Sequence, residues 1–343
     1  FNRLHDVYQN SVVFLTLPCN RTKRFEHSIG TMFVCSNMLL SAISNTPPDV
    51  LSSFLKAYEG ANYLLKDKLF DEVVVREQKL GDTTKGVDPV PDDYILSLVP
   101  NNVEPPQRVT CAVLIQSVRI AALLHDVGHP PFSHVVESAI SDVYKVSKSR
   151  SKEESWRTFK ELMDPYFKDG SALHEQMGLS ISASAMLSAI PNADNRSHKD
   201  LGESLFFMLV RECVLAILDE KGLYKDLHRI VDSCLDGDRL DYVSRDPISS
   251  GFDVGTVNYE RIINGMRIFE MEVGVDGPAA GRFVFSFPVK ATGSIEDFLQ
   301  RRFDSYRDVV FHHRSTLMSN LLRSSVKELA IKAIDSGAKD LFS

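Results

Sequence analysis

The feature that most constrains this chain is a helix that must be buried and yet ends in ionisable groups. From Arg108 to Asp126 (RVTCAVLIQSVRIAALLHD) it is apolar nearly all round, which predicts a central core helix. It runs straight into LLHDVGHPPFSH, Leu123 to His134, where His125, Asp126, His129 and His134 fall within ten residues. Gly128, Pro130 and Pro131 end the helix. Burying that much polarity costs several kcal/mol unless an ion or ligand compensates. Adjacent helical residues point about 100° apart, so His125 and Asp126 can share one ion only near the helix end. His5-Asp6, by contrast, is a pair that chance supplies: no Gly-His follows it.

The chain is long enough to bury such a helix. Its 343 residues can remove roughly three-quarters of the unfolded surface from water, without disulfides or metals to stabilise it. Hydrophobic residues at 43% and charged residues at 25% exclude a disordered or collagen-like chain. Lys and Arg number 39 against 46 Asp and Glu, a net charge of −7. That argues against general nucleic-acid coating and leaves room only for a local basic patch. Five cysteines (Cys19, Cys35, Cys111, Cys213, Cys234) form no C-x-x-C pair and read as free thiols in a reducing cytoplasm. No apolar run is read as reaching the roughly 20 residues of a membrane span. No signal peptide is legible in a chain that starts at Phe1.

Helical periodicity dominates. Glu26 to Ile43 carries apolar residues at spacings of three and four, and Pro47-Pro48 stops it. Further helices are expected at about 132–146, 153–167, 172–190, 201–220, 236–246 and 294–334. Residues 46–107 read as an insertion of short helix, strand and loop, with Phe70 to Arg76 (FDEVVVR) as a β-rich piece and thin apolar content. Residues 268–290 alternate around a Gly/Pro turn and predict a hairpin. The expected fold class is all-α with a small β-hairpin accessory: one domain over 1–343, with the insertion 46–107, the hairpin 268–290 and a C-terminal helical part 294–343.

Two more segments can complete a mononuclear metal site. In RFEHSIG, His27 opens the first amphipathic helix with Arg24 one turn before it. In LDGDRLDYVSRD, Leu235 to Asp246, helical geometry sets Asp238, Tyr242 and Asp246 at i, i+4 and i+8 with Arg239 at their edge. That strip is about 12 Å long, roughly the length of a nucleoside triphosphate.

The strings R-F-x-H-S-x-G, H-D-x-G-H-x-P-F-S-H and D-x-D-x-x-D-Y-x-x-R-D, in this order, resemble the HD superfamily of metal-dependent phosphohydrolases. More narrowly they resemble its deoxynucleoside triphosphate triphosphohydrolases, the dGTPase-like and sterile-alpha-motif-HD group. The resemblance covers about 1–45 and 108–320, and no sterile alpha motif is present. It implies a divalent metal (Mn, Mg, Fe or Co) on His27, His125, Asp126 and Asp238. It places His129, His134, Glu137, His174 and Glu175 beside the metal as the catalytic group, with Glu137 where relatives carry Asp. His174 is the expected general acid, steered by Glu137 or Glu175, and His134 is the alternative.

For substrate, the resemblance implies Arg24, Arg239 and Arg314 on a triphosphate, Gln9 and Asp246 on the 3′-hydroxyl, and Tyr242 under the sugar. Leu322 stands where better-known relatives place a base-side tyrosine. The implied reaction converts a dNTP to deoxynucleoside and inorganic triphosphate, in a cytoplasmic homo-oligomer with nucleotide effectors and no membrane partner. Two other readings remain open: an HD phosphohydrolase on a nucleoside monophosphate or guanosine tetraphosphate, and a non-catalytic nucleotide- or nucleic-acid-binding protein of the same fold.

Overall fold

The computed structural model describes residues 1–77, 88–167, 172–189, 198–252, 257–271 and 282–337. In chain order its helices are α1 (Arg24–Asn45), α2 (Pro48–Glu77), α3 (Asp93–Ser97), α4 (Arg108–Leu124), α5 (His134–Ser149), α6 (Glu154–Met163) and α7 (Leu173–Ala189). Then come α8 (His198–Leu218), α9 (Lys225–Val231), α10 (Gly237–Ser249), α11 (Tyr259–Ile263), α12 (Thr292–Ser305) and α13 (His313–Asp335). Among the described residues, β structure is one antiparallel pair, β1 (Arg267–Glu270) and β2 (Phe283–Ser286), in register Ile268 to Phe285. The fold is all-α with a small β accessory, as the periodicity predicts.

The central helix is α4. Its residues from Cys111 to Ile115 are at most 1% exposed, because α1, α8 and α9 enclose it. The helix Pro105–Leu124, which includes the 3₁₀ turn before α4, is long and apolar enough to cross a membrane by composition. Within it, 67% of an 18-residue apolar stretch is buried inside the molecule. The sequence reading set this run too short, because Pro105 and Arg108 interrupt its apolar pattern without ending the helix.

A main core joins α1, α2, α4, α8, α9 and α10. A second cluster of Val143, Tyr144, Trp156, Phe159, Met163, Leu173, Ala330 and Ile334 joins α5, α6, α7 and α13. The candidate site lies between the two.

Four expectations are corrected. Phe70 to Arg76 is not a strand but the last part of α2. Its three valines favour β structure weakly, and a lone strand leaves its backbone unpaired, whereas continuing a helix satisfies every group internally. Nor is the apolar content of 46–107 thin where it counts: Leu51, Phe54, Leu55 and Tyr58 are at most 2% exposed and join the main core. Finally, 294–334 is two helices, with a π turn at Tyr306–Val310 and extended backbone at His312 between them. Pro48, expected only to stop α1, opens α2 as its first residue, where its missing N–H has no partner to lose.

Candidate metal site

Four short segments converge on one cleft of about 750 Å³, within the usual range for small-molecule sites. The first is the start of α1. Glu26 caps its own helix by accepting the Lys23 N–H at 2.6 Å, which fixes the first turn and so His27, one residue on. His27 is fully buried. The second is the turn after α4, where His125 caps the helix with helical backbone angles and its Nδ1 lies 2.7 Å from the Ala122 carbonyl. The third is the start of α10, capped by Asp236, whose carboxylate accepts from Arg239 N at 2.6 Å and Ser233 N at 2.5 Å. Asp238 stands in that first turn.

The fourth segment is α7. Gly128 in the HD turn meets Gly178 of α7 so closely that a Cβ on Gly128 would sit 1.9 Å from the His174 carbonyl and 2.3 Å from Gly178 N. Two glycines thus let α7 lie on the turn and bring the His174 ring over His129, stacked at 3.9 Å and 12°. Between them the chain is strained: Phe132 and Ser133 hold φ of 60° and 50° without being glycine, at a cost on the order of 1–3 kcal/mol each. The Ser133 hydroxyl accepts from Arg24 Nε at 2.9 Å and donates to the Tyr8 carbonyl at 3.2 Å, which holds that turn against α1.

The proposed ligand atoms come together. His27 Nε2 is 2.8 Å from Asp238 Oδ1 and 3.6 Å from Asp126 Oδ2; His125 Nε2 is 3.5 Å and 3.6 Å from the same two oxygens. Both Nδ1 atoms are committed, His27 to Asp241 Oδ2 at 2.8 Å and His125 to the Ala122 carbonyl. With Nδ1 so engaged, each ring turns its Nε2 toward the two carboxylates, and both Nε2 atoms are buried there without a hydrogen bond of good geometry. Two buried imidazole nitrogens facing Asp238, with Asp126 beside them on the Arg24 guanidinium, fit a divalent cation. Burial alone would lower the His27 pKa; the carboxylates of Asp238 and Asp241 override it and raise it to about 10. Burial likewise opposes the charge on Asp238, but His125 and His27 pull its pKa below the usual carboxylate range.

Beside this set, His129, His134, Glu137 and His174 place ligand atoms within 4.8 Å of one another, close enough to hold a cation as well. Glu137 is shared: it receives His134 Nδ1 at 3.0 Å, His174 Nδ1 at 2.9 Å and the His174 backbone N–H at 3.2 Å. Those three donors outweigh its burial and hold its carboxyl well below the usual range. Both histidines thereby keep Nε2 free. His129 differs: burial and the Arg24 guanidinium lower its pKa to about 3, despite Asp126 at 3.3 Å, so it is neutral.

The structure brings some expected substrate residues into the cleft and leaves others out. Gln9, Arg24, Arg239, Tyr242 and Asp246 line it. Arg24, 3% exposed, is paired with Asp126, and Arg239 is paired with Asp232 at 2.8 Å and with Asp236. Arg314 is exposed at the start of α13 and is not part of the cleft wall; the break at 311–312 turns it away, and Arg323, bound to Asp142 at 2.7 Å, faces the cleft from that helix. Of the two carboxylates expected to steer His174, Glu175 accepts the Ala172 N–H at 3.0 Å and caps α7, while Glu137 meets His174 Nδ1 at 2.9 Å. Asp246 accepts from Asn10 Nδ2 at 2.9 Å, while its Oδ1 and Gln9 Oε1 are buried without partners.

Asn10, Arg323 and Asp241 escaped sequence reasoning. Only Asp241 had a signal, three residues after Asp238 and so on the same side of α10. His5-Asp6 stands apart, its ring stacked on Phe25 at 3.6 Å.

No family model matches the chain. It is 26% identical over 204 residues to an uncharacterised protein of Mycoplasma genitalium, covering 58% of this chain and 38% of that one. It is 21% identical over 342 residues to an uncharacterised protein of Methanocaldococcus jannaschii, covering 99% of this chain and 47% of the other. The chain thus spans less than half the length of these curated relatives. Among solved structures, a phosphohydrolase of Bacteroides thetaiotaomicron superposes with a TM-score of 0.52 at 20% identity, over 98% of this chain and 54% of that one. The class defined at this level is a fold: the all-α fold of a protein named as a phosphohydrolase.

Proposed function

We propose that the chain is a metal-dependent phosphohydrolase acting on deoxynucleoside triphosphates, with deoxynucleoside and inorganic triphosphate as products. The observation that carries this reading is the pair of buried imidazole nitrogens, His27 Nε2 and His125 Nε2, set against Asp126 and Asp238 on the cleft wall. When bound there, a divalent cation supplies an acidified water and polarises phosphoryl oxygens. His174 carries the proton for the leaving 5′-oxygen on Nε2, because Glu137 fixes its Nδ1 and orients the ring. His129, neutral and stacked beneath, supports the His174 ring without competing for the proton.

Along α10 the cleft passes from Asp238 to Tyr242 to Asp246. A sugar beside Tyr242 can donate its 3′-hydroxyl to Gln9 Oε1 or Asp246 Oδ1, the acceptors that otherwise stay unpaired. The Tyr242 hydroxyl accepts from Arg302 Nε at 3.1 Å, so the ring is held in place, and a sugar packed against it would be selected for the lack of a 2′-hydroxyl.

One observation favours a second reading, a nucleoside monophosphate or another smaller phosphoester. Arg314 stands off the cleft, and Arg24 and Arg239 already carry carboxylate partners, so few cations are spare for a tetra-anion. Incubating purified protein and Mn²⁺ with each dNTP, NTP and dNMP, followed by chromatography, separates the readings. Inorganic triphosphate with deoxynucleoside supports the proposal; deoxynucleoside and phosphate released from dNMP alone supports the second reading; dNMP formed from dNTP excludes attack at the α-phosphorus with loss of the 5′-oxygen.

A further inference from the structure

Two residues of the sequence motifs have no role above, Gly30, which closes RFEHSIG, and Arg245 of DRLDYVSRD, and a third, Asp241, enters only as the acceptor of His27 Nδ1. The structure puts them in one place. Asp241, 7% exposed, accepts from Arg245 through both oxygens, Nε to Oδ2 at 3.0 Å and Nη2 to Oδ1 at 2.7 Å, one helical turn apart on α10. The oxygen that takes Arg245 Nε also receives His27 Nδ1 at 2.8 Å. Across from them Gly30 lies one turn after His27 on α1, and a Cβ there would fall 1.9 Å from Asp241 Oδ1 and 2.4 Å from Arg245 Nη2. The ion pair therefore occupies the space a side chain at position 30 would need.

We propose that Gly30, Asp241 and Arg245 form a positioning device that fixes the orientation and tautomer of His27 for the divalent cation. It rests on the metal site proposed above and extends it outward. The physical argument is directional. A ring that has lost its Nδ1 acceptor can rotate or carry its proton on Nε2, and either change removes the lone pair from the cation site. A carboxylate on the far nitrogen prevents both and makes Nε2 a stronger donor; loss of such partners typically weakens metal affinity 10- to 100-fold. Arg245 acts one step further out. Its fork holds the carboxylate plane, and Gly30 leaves room for that fork to pack against α1. His125 has no such carboxylate and relies on a backbone carbonyl, so the device is specific to one ligand.

The test is titration of metal-free protein with Mn²⁺ alone, reading free Mn²⁺ by electron paramagnetic resonance, with apo-protein Tm as a separate readout. Asp241→Asn should bind Mn²⁺ about 10- to 100-fold more weakly than wild type. Asp241→Glu should recover part of that loss. Arg245→Met, at a partly exposed position, should weaken binding several-fold in the wild-type background and have little added effect beside Asp241→Asn, because both act through one carboxylate. Gly30→Ala should reproduce the Arg245→Met loss. Affinity within about threefold of wild type in Asp241→Asn overturns the inference. Should that variant fail to fold, wild-type affinity in Arg245→Met overturns it instead. A wild-type protein that takes up no Mn²⁺ defeats the metal site itself, a different outcome from a wild type and variants that bind alike. No nucleotide is present, so substrate identity does not enter.

Discussion

At the scale of single residues, the cleft stores unfavourable electrostatics where substrate is expected to relieve them. Asp246 shows it best. It is 3% exposed, and burial raises its carboxyl from 3.8 to about 6, with Asn10 and His27 offsetting only part of the cost. The folded pKa exceeds the unfolded one, so between pH 4 and 6 the native state holds the extra proton and stability falls as pH rises; above about 6 the penalty is constant. That penalty is on the order of 3 kcal/mol at most. Metal-free Asp246→Asn should therefore be more stable than wild type at pH 7, with the advantage gone near pH 4, while losing affinity for substrate. Thermal melts at the two pH values check the first part, and an unchanged or lowered Tm at pH 7 contradicts it. At Tyr242, which touches the sugar in the proposed mode, Tyr242→Ala should narrow the ratio of kcat/KM for dGTP over GTP. A missing partner for a buried hydroxyl is worth about 1–3 kcal/mol, or roughly ten- to hundredfold in that ratio. An unchanged ratio in folded protein defeats the steric reading.

At the scale of elements, the site depends on where helices start. His27 and Asp238 both sit in the first turn of a helix whose start is fixed by a side chain, Glu26 for α1 and Asp236 for α10. Asp236 is fully buried and raised to about 7 by burial and by the nearby Asp238 charge, yet it still receives two backbone N–H groups. Asp236→Ala should cost about 1–2 kcal/mol of stability and fray the turn that carries Asp238, weakening Mn²⁺ binding. Asp236→Asn, which keeps one acceptor for the Arg239 N–H but loses the one for Ser233, should retain more of both than the alanine variant. Equal metal affinity in the alanine variant, measured by the same titration, would disconnect the cap from the site. The break between α12 and α13 matters for the same reason: it decides that Arg323 rather than Arg314 faces the cleft.

For the molecule as a whole, an ion held by His27, His125, Asp126 and Asp238 would tie α1, the end of α4 and α10 together, three helices of the main core. A ligand that binds only the native state stabilises it by about 2.7 kcal/mol at a hundredfold excess over its Kd. Mn²⁺ should therefore raise the Tm of metal-free protein, and the rise should vanish in Asp126→Ala and persist in His5→Ala. A shift retained in Asp126→Ala, measured by differential scanning fluorimetry, would place the ion elsewhere.

What the sequence determined by itself was local and periodic. Helical spacing located α1, α4 and α10, because burying one face of each sets the pattern; clustered polarity at the end of α4 marked the HD turn, because apolar surroundings make such groups costly. The valine run of 70–76 misled, since β propensity is weak against a helix already under way. What only the tertiary structure decided were relations across distance. Asp241 became the partner of His27, 214 residues away in the chain, because Gly30 lets α10 approach α1. Glu137 rather than Glu175 became the partner of His174, because Gly128 and Gly178 let α7 settle on the HD turn. Spacing along a chain fixes which side of a helix a carboxylate faces; which imidazole it meets there depends on how closely two backbones can pack.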